Sequence, residues 1–292
     1  MERWLFLTVD GLAKGAVLAA FALALVIIWR GTRIVNFAQG AMAVATTYVA
    51  YTVTSATGSY WLGFGAAIVS GLVLGVVVDQ LVMRRVDHEK PLNAVIVALG
   101  LLLVITAVLG MVYGNTFRPM QIPFSRSSIE VGGVALMSRY DIFVLGTVVV
   151  LVIALALLFA RTSVGLRMRA AAFAPETARL LGVSVGWMLT LGWALAAAVG
   201  AVAALLAVPT ELGLHPHAMD VVFISAFTAA VVGGLDSAPG AVVGGLLVGL
   251  VLSYVSGYLG SDITPLAVLV LLTIVLLVRP SGLFSSAKAR QV

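Results

Sequence analysis

Apolar residues fall into nine long runs separated by short polar stretches, and this pattern decides the fold class. Within each run the apolar positions are continuous, which predicts membrane-spanning helices of about 20 residues and not the alternating strands of a membrane barrel. We therefore expect an all-α, polytopic transmembrane helical bundle with eight or nine spanning segments. The runs are residues 11–29, 34–54, 61–83, 93–113, 142–160, 187–208, 218–235, 240–258 and 265–278.

The composition indicates a single membrane domain. Of the 292 residues, 62% are hydrophobic and only 10% are charged, whereas an ordinary soluble domain is about 25% charged. We therefore expect residues 1–292 to form a single transmembrane domain surrounded by membrane lipid. Cysteine is absent from the sequence, which excludes disulfides and thiolate metal sites. The basic residues form no dense patch, so a nucleic-acid partner is not expected.

The distribution of basic residues predicts the orientation of the chain. If successive loops alternate between the two sides, twelve of the 17 Lys and Arg residues lie on the side of loop 84–90 and five lie on the other. Because basic residues accumulate on the cytoplasmic side, we expect the N-terminus outside and the C-terminus in the cytoplasm. The same alternation predicts an extracytoplasmic loop over residues 114–141, with a hairpin around residues 131–134, and a cytoplasmic loop over residues 161–186.

The most polar stretch within an apolar run is GTRIVNFAQGAMAVATT, residues 31–47. If residues 34–54 form one helix, its small and polar side chains recur every three or four residues and share a face. Its first polar residues then lie in the first turns of the cytoplasmic end. Such side chains face protein or a water-filled path, so two interpretations stand: the wall of a polar pathway, or hydrogen bonding between helices. The residues are Asn36, Gln39, Gly40, Ala43, Thr46 and Thr47.

Small residues predict where helices pack closely and where one is interrupted. Glycines at four-residue spacing occur in runs 61–83 and 240–258, and run 187–208 carries small residues on more than one face, which is typical of a central helix. Between the seventh and eighth runs the sequence GGLDSAPG predicts a hinge or a broken helix. Its residues are Gly233, Gly234, Asp236 and Gly240, with Asp236 favoured as a helix cap.

The sequence provides little evidence for catalytic groups. No lysine follows a glycine, so there is no Gly-Lys-Ser/Thr phosphate loop. His215 and His217 lie in a predicted outer loop, where solvated side chains are favoured over a metal site. Asp79 lies near the cytoplasmic end of its run, where it can pair with Arg84 or reach water. We expect no catalytic residue and no metal ligand in this chain.

The cytoplasmic segment 161–186 contains a predicted short helix over residues 175–181. Pro175 suits its first turn, Glu176 its positive end and Gly182 a left-handed cap after its last turn. A helix of two turns is unstable by itself and must pack on something. Two surroundings are open: the lipid headgroups or a groove in a cytoplasmic subunit.

Three separated motifs carry a resemblance to a known family. They are TRIVNFAQGA at residues 32–41, RAAAFAPETARLLGVSV at residues 169–185 and AFTAAVVGGLDSAPGAVVGGLLVG at residues 226–249. In order and spacing they resemble the permease subunits of ATP-binding-cassette importers for branched-chain amino acids, the LivH/LivM type. The resemblance is closer to the LivH half and covers nearly the whole chain.

The resemblance implies a multi-pass permease of the cytoplasmic (inner) membrane that moves branched-chain or other hydrophobic amino acids. It implies a LivM-type permease as heterodimer partner, an extracytoplasmic substrate-binding protein, and two cytoplasmic ATPase subunits that bind ATP and Mg²⁺. This chain is then no enzyme and holds no cofactor of its own. The short cytoplasmic helix becomes the coupling helix to the ATPases, with the two leucines as buried anchors. Its residues are Pro175, Glu176, Arg179, Leu180, Leu181 and Gly182.

Two other functions stay open at this point. An ion-coupled secondary transporter also uses broken glycine-rich helices, although the sequence lacks the mid-helix acid that a proton relay needs. Permeases of the same family also carry urea, amides or aromatic carboxylates, and nothing in the sequence separates these substrates from leucine.

Overall fold

The computed structural model describes residues 2–86, 91–131, 134–211 and 213–284. Lys90, Lys288 and Arg290, which contribute to the predicted orientation, and the predicted turn residues Gly132 and Gly133 lie outside the described residues. The helices are α1 (Glu2–Thr32), α2 (Gln39–Thr57), α3 (Tyr60–Leu81), α4 (Pro91–Tyr113), α5 (Arg139–Arg161), α6 (Ser163–Phe173), α7 (Pro175–Leu180), α8 (Val185–Ala207), α9 (Asp220–Gly233), α10 (Ala238–Tyr258) and α11 (Thr264–Val278).

Each of the nine apolar runs corresponds to a helix, so the predicted all-α helical bundle is confirmed. Within the described residues, seven helices are long and apolar enough to cross a membrane. Of the nine helices that correspond to apolar runs, the remaining two are α2, whose sequence is more polar, and α9. The 14 residues of α9 extend only about 21 Å against a hydrocarbon core of about 30 Å.

Most predicted helix ends agree with the structure within a few residues, and two differ more. Helix α1 begins at Glu2 and not at residue 11, because its first turns pack against the end of α10: Thr8 Oγ1 lies 2.7 Å from the Tyr254 hydroxyl, and Ser253 Oγ donates to Leu7 O at 2.8 Å. Helix α2 begins at Gln39 and not at residue 34, and this difference shapes the site described below.

Helices α1 and α8 form the centre of the bundle, as the small residues of α8 predict; 89% and 83% of their membrane-length windows are buried. Glycines bring the neighbouring helices close. On α3, a Cβ added at Gly71 would lie 2.9 Å from Ala198 Cα of α8. On α10, Gly245 and Gly249 face Ala19 and Gly15 of α1 so closely that a Cβ on either glycine would collide with the α1 backbone.

The loop between α4 and α5 contains the predicted hairpin. Strand β1 (Ser128–Val131) pairs antiparallel with β2 (Val134–Ser138). Upstream of the hairpin, the backbone amides and carbonyls of Arg118 and Leu214 exchange two hydrogen bonds of 2.9 Å. These bonds tie the loop to the segment that leads into α9, and thereby fix the position where α9 begins.

Candidate functional site

Helix α2 begins in the middle of the bundle. After α1 ends at Thr32, residues 34–36 are non-helical and residues 37–38 form a turn. Gln39 Nε2 donates to Ala196 O at 2.9 Å, and Ala196 is the twelfth of the 23 residues of α8. The expected continuous helix over residues 34–54 is therefore wrong in its first residues, and Gln39 lies beside the middle of α8. A non-helical chain advances up to about 3.3 Å per residue against 1.5 Å in a helix, and so reaches mid-bundle within a few residues.

Asn36 belongs to this non-helical segment, so its predicted place on the polar face of α2 is also wrong. Its side-chain amide donates to Gln39 Oε1 at 2.9 Å, and its Oδ1 accepts from the Ala38 amide at 3.1 Å. Both polar side chains are almost completely buried. Asn36 thus bonds to the amide of Ala38, the residue immediately before α2, and to the side chain of Gln39, its first residue.

The other members of the predicted cluster have partners within α2. Thr46 Oγ1 and Thr47 Oγ1 both donate to the Ala43 carbonyl, at 2.7 and 2.8 Å. Of the polar side chains in this cluster, that of Gln39 bonds to another helix, whereas those of Asn36, Thr46 and Thr47 bond to partners within residues 36–47. Gly40 is the member of the cluster that borders a cavity, and a pathway role for the others stays a prediction.

A cavity of about 810 Å³ lies beside the start of α2. Helices α2 and α9 begin together here: a Cβ added at Gly40 would lie 3.6 Å from Phe223 Cβ and 3.7 Å from Met219 O. Helix α4 forms the third wall, along the half nearer the hairpin loop. The lining is mostly apolar with four polar side chains, and consists of Phe37, Gly40, Leu99, Leu102, Leu103, Thr106, Ala107, Gly110, Met111, Asn115, His217, Asp220, Phe223 and Ile224.

The charged group in the cavity lining is a His–Asp pair. His217 Nδ1 lies 2.9 Å from Asp220 Oδ2, with His217 in the turn before α9 and Asp220 as its first residue. The neighbouring His215 has different surroundings, since its Nδ1 lies 3.1 Å from Gly213 O and its ring lies 4.5 Å from that of Phe117. This pair was not predicted above; its signal in the sequence is an acid three residues after a histidine at the start of a helix.

Residues 161–186 carry the predicted short helix. Helix α7 ends at Leu180, one residue earlier than predicted, and Gly182 has the left-handed conformation expected of the cap, with φ of 79°. Ala178 is buried against the side chains around α6 and the start of α8, while Glu176 and Arg179 form an ion pair of 2.9 Å. In this chain alone the two leucines are exposed, Leu180 by 89% and Leu181 by 78%.

A buried acid on α3 joins that helix to the start of α8, which follows the α7 segment. Asp79 pairs with Arg84, as one of the two sequence alternatives predicts, with Arg84 Nη2 3.6 Å from its Oδ2. Thr190 Oγ1 donates to the same Asp79 oxygen at 2.6 Å. Arg84 Nη2 also donates to Gly186 O at 3.0 Å, at the start of α8 and just after the α7 segment. The charge of Asp79 is therefore compensated within the bundle.

The interruption between α9 and α10 is present, but Asp236 does not cap a helix. Ser237 is the N-terminal cap of α10, since its hydroxyl accepts from the Gly240 amide at 3.0 Å. Asp236 lies one residue too early for this role and instead pairs with Arg33 in the segment after α1. Gly233 and Gly240 touch, so that a Cβ on either would collide with the carbonyl of the other, and Gly234 turns the chain with φ of 97°. A hinge function for this turn stays a prediction.

The all-helical fold and the seven long apolar helices define a multi-pass membrane protein. The chain belongs to the family described as the permease component of branched-chain amino acid transport systems, whose model matches residues 7–279. This confirms the family resemblance and indicates a transport subunit rather than an enzyme.

Curated relatives match along most of the chain. The high-affinity branched-chain amino acid transport system permease protein LivH of Escherichia coli (strain K12) is 29% identical, over 97% of this chain and 96% of the relative. BraD of Pseudomonas aeruginosa is 26% identical over the same shares. The probable LivH of Methanocaldococcus jannaschii is 29% identical over 84% of this chain and 78% of its own length.

Among solved structures, a chain of PsaBC from Streptococcus pneumoniae, determined in complex with a Fab, has a similar fold. The TM-score is 0.52 at 13% identity, over 93% of this chain and 91% of the other. At this identity the likeness concerns the fold alone.

Proposed function

We propose that the chain is a permease subunit of an ATP-binding-cassette importer that carries branched-chain and other hydrophobic amino acids across the inner membrane. The observation that carries the proposal is the match to LivH and BraD over 97% of the chain, because both relatives are named as permeases for branched-chain amino acids. The partners are a LivM-type permease, an extracytoplasmic binding protein and two ATPase subunits that bind ATP and Mg²⁺.

The surface of the short helix α7 supports coupling to such ATPases. Leu180, the last residue of α7, and Leu181, which follows it, are exposed, while Ala178 on the same helix packs on α6 and α8. Exposed leucines beside the Glu176–Arg179 pair form an apolar centre with a charged rim, the arrangement typical of a protein interface. Because Gly186 accepts a hydrogen bond from Arg84, a displacement of α7 reaches α3 as well as α8.

Transport by the reconstituted complex tests this role of α7. We expect Leu181→Asp, and separately Glu176→Arg, to abolish ATP-driven uptake while the affinity of the binding protein for its ligand is unchanged. Leu259→Asp is the matched control, since Leu259 is also exposed, by 64%, and lies beyond the far end of α10. Normal substrate-stimulated ATPase activity in the Leu181→Asp complex would contradict docking through α7.

The driving force needs a separate measurement. Proteoliposomes containing the purified complex are compared with and without ATP, and with Na⁺ or H⁺ gradients. ATP-dependent uptake supports the importer. Uptake by this chain alone, driven by an ion gradient, would identify a secondary transporter instead. Ligand affinities of the proposed partner binding protein then distinguish hydrophobic amino acids from urea, amides and aromatic carboxylates as substrates.

A further inference from the structure

We propose that the cavity between α2, α4 and α9 binds the transported molecule through a primary ammonium group, which Asp220 accepts while His217 holds the carboxylate in place. This site rests on the proposed function and deepens it, because it names the chemical feature of the substrate that the permease itself recognises. The polar cluster of residues 31–47 is not needed for it, apart from Gly40 in the wall.

The charges of the lining favour a positively charged group of the ligand. Among the described lining residues Asp220 is the one carboxylate, and neither lysine nor arginine is present. With a neutral imidazole, the His217–Asp220 pair carries one negative charge. When His217 donates from Nδ1 to Oδ2 over 2.9 Å, the second carboxylate oxygen keeps its lone pairs for a ligand. An ammonium group is the donor that such a site attracts most strongly.

The rest of the lining suits an apolar side chain. The rings of Phe37 and Phe223 lie 6.1 Å apart beside Gly40, and Ile224 and Leu102 continue the apolar surface. A volume of about 810 Å³ falls within the range of small-molecule sites, which combine an apolar lining with a few polar groups. Gly40 keeps the floor of the cavity open, since a larger side chain there would extend towards Phe223.

This chemistry separates substrates that the family as a whole accommodates. A hydrophobic amino acid or amine offers both an ammonium group for Asp220 and an apolar group for the aromatic wall. A carboxylate without an amino group is repelled by the Asp220 charge. Urea and simple amides offer neutral donors, which form weaker hydrogen bonds to a carboxylate than an ammonium does.

Saturation-transfer NMR on the assembled complex in lipid nanodiscs, without the binding protein, tests the site directly. The probes are leucine, 3-methylbutylamine, 4-methylpentanoate and urea. We expect leucine and 3-methylbutylamine to bind, and 4-methylpentanoate and urea to bind about tenfold more weakly or not at all. Asp220→Asn should weaken leucine binding about tenfold, whereas Asp220→Glu should retain most of it.

Asp262→Asn is the matched control, because Asp262 is an exposed acid in the short helix before α11, outside the cavity lining. Thermal unfolding of each complex checks that the near-isosteric substitutions leave the fold intact. Equal binding of leucine and 4-methylpentanoate, or unchanged leucine binding in Asp220→Asn, would overturn the site. ATP-driven uptake of hydrophobic amino acids by the parent complex would still support the proposed function in that case. Conversely, a parent complex that binds leucine here but imports no hydrophobic amino acid would support the site and refute the proposed function.

Discussion

Gln39 and Ala196 are joined by a hydrogen bond of 2.9 Å from a side-chain amide to a backbone carbonyl, across 157 positions of sequence. The bond fixes the first residue of α2 to the middle of α8 and thereby sets the depth of the cavity floor. Gly200, one turn further along α8, makes the approach possible, because a Cβ there would collide with the Gln39 amide.

Loss of this bond should lower both stability and transport. We expect Gln39→Leu to cost about 1 kcal/mol, the typical value for an interhelical hydrogen bond in a membrane protein, and to reduce uptake because the cavity floor shifts. Thermal unfolding and transport assays measure the two effects. Thr57→Val is the control, since the Thr57 hydroxyl bonds to Val53 O of its own helix near the exposed end of α2. Equal effects of the two substitutions would contradict the role of Gln39.

The contact between α3 and α8 should tolerate no side chain at Gly75. A Cβ there would overlap the Trp193 carbonyl and the Ala194 backbone, and overpacking of this kind costs typically about 1–3 kcal/mol. We expect Gly75→Leu to lower the melting temperature clearly. Gly65→Leu on the same helix is the control, because a Cβ at Gly65 meets no atom within 4 Å. Fluorescence-detected unfolding compares both, and equal melting temperatures would contradict close packing at Gly75.

The Asp79–Arg84 pair should be energetically coupled. Asp79 has a side chain that is only 7% exposed, and removing one partner of a buried pair leaves the other uncompensated. We expect Arg84→Met, which leaves the buried Asp79 carboxylate without its cation, to destabilise the protein more than the double variant Asp79→Leu/Arg84→Met does. A double-mutant cycle measures this interaction. Strictly additive effects of the two substitutions would rule the coupling out.

In the turn between α9 and α10, the contributions of two adjacent residues to stability can be compared. Ser237→Ala removes the cap of α10 and should cost about 1 kcal/mol. Asp236→Ala removes an ion pair whose side chains are 62% and 48% exposed, which should change stability by less than about 1 kcal/mol. Chemical or thermal unfolding of the two variants ranks them. A larger effect at Asp236 would restore the capping role that the sequence suggested.

The sequence alone determined the class of the fold. Each of nine apolar runs became a helix, because lipid allows a chain no other local way to satisfy its backbone groups within one segment. The small residues of α8 identified a central helix, and the residues around Gly182 identified a cap, because both features depend on neighbours within a few positions.

Tertiary structure decided how deep the site lies and which residues form it. Residues 34–38 leave the helical conformation and Asn36 and Gln39 find partners in each other and in α8, which local periodicity does not reveal. Asp236 pairs with Arg33 and leaves capping to Ser237, and the cavity brings Phe37 beside Phe223. Each of these arrangements joins segments far apart in the chain, and only their packing in space determines which buried polar group meets which partner.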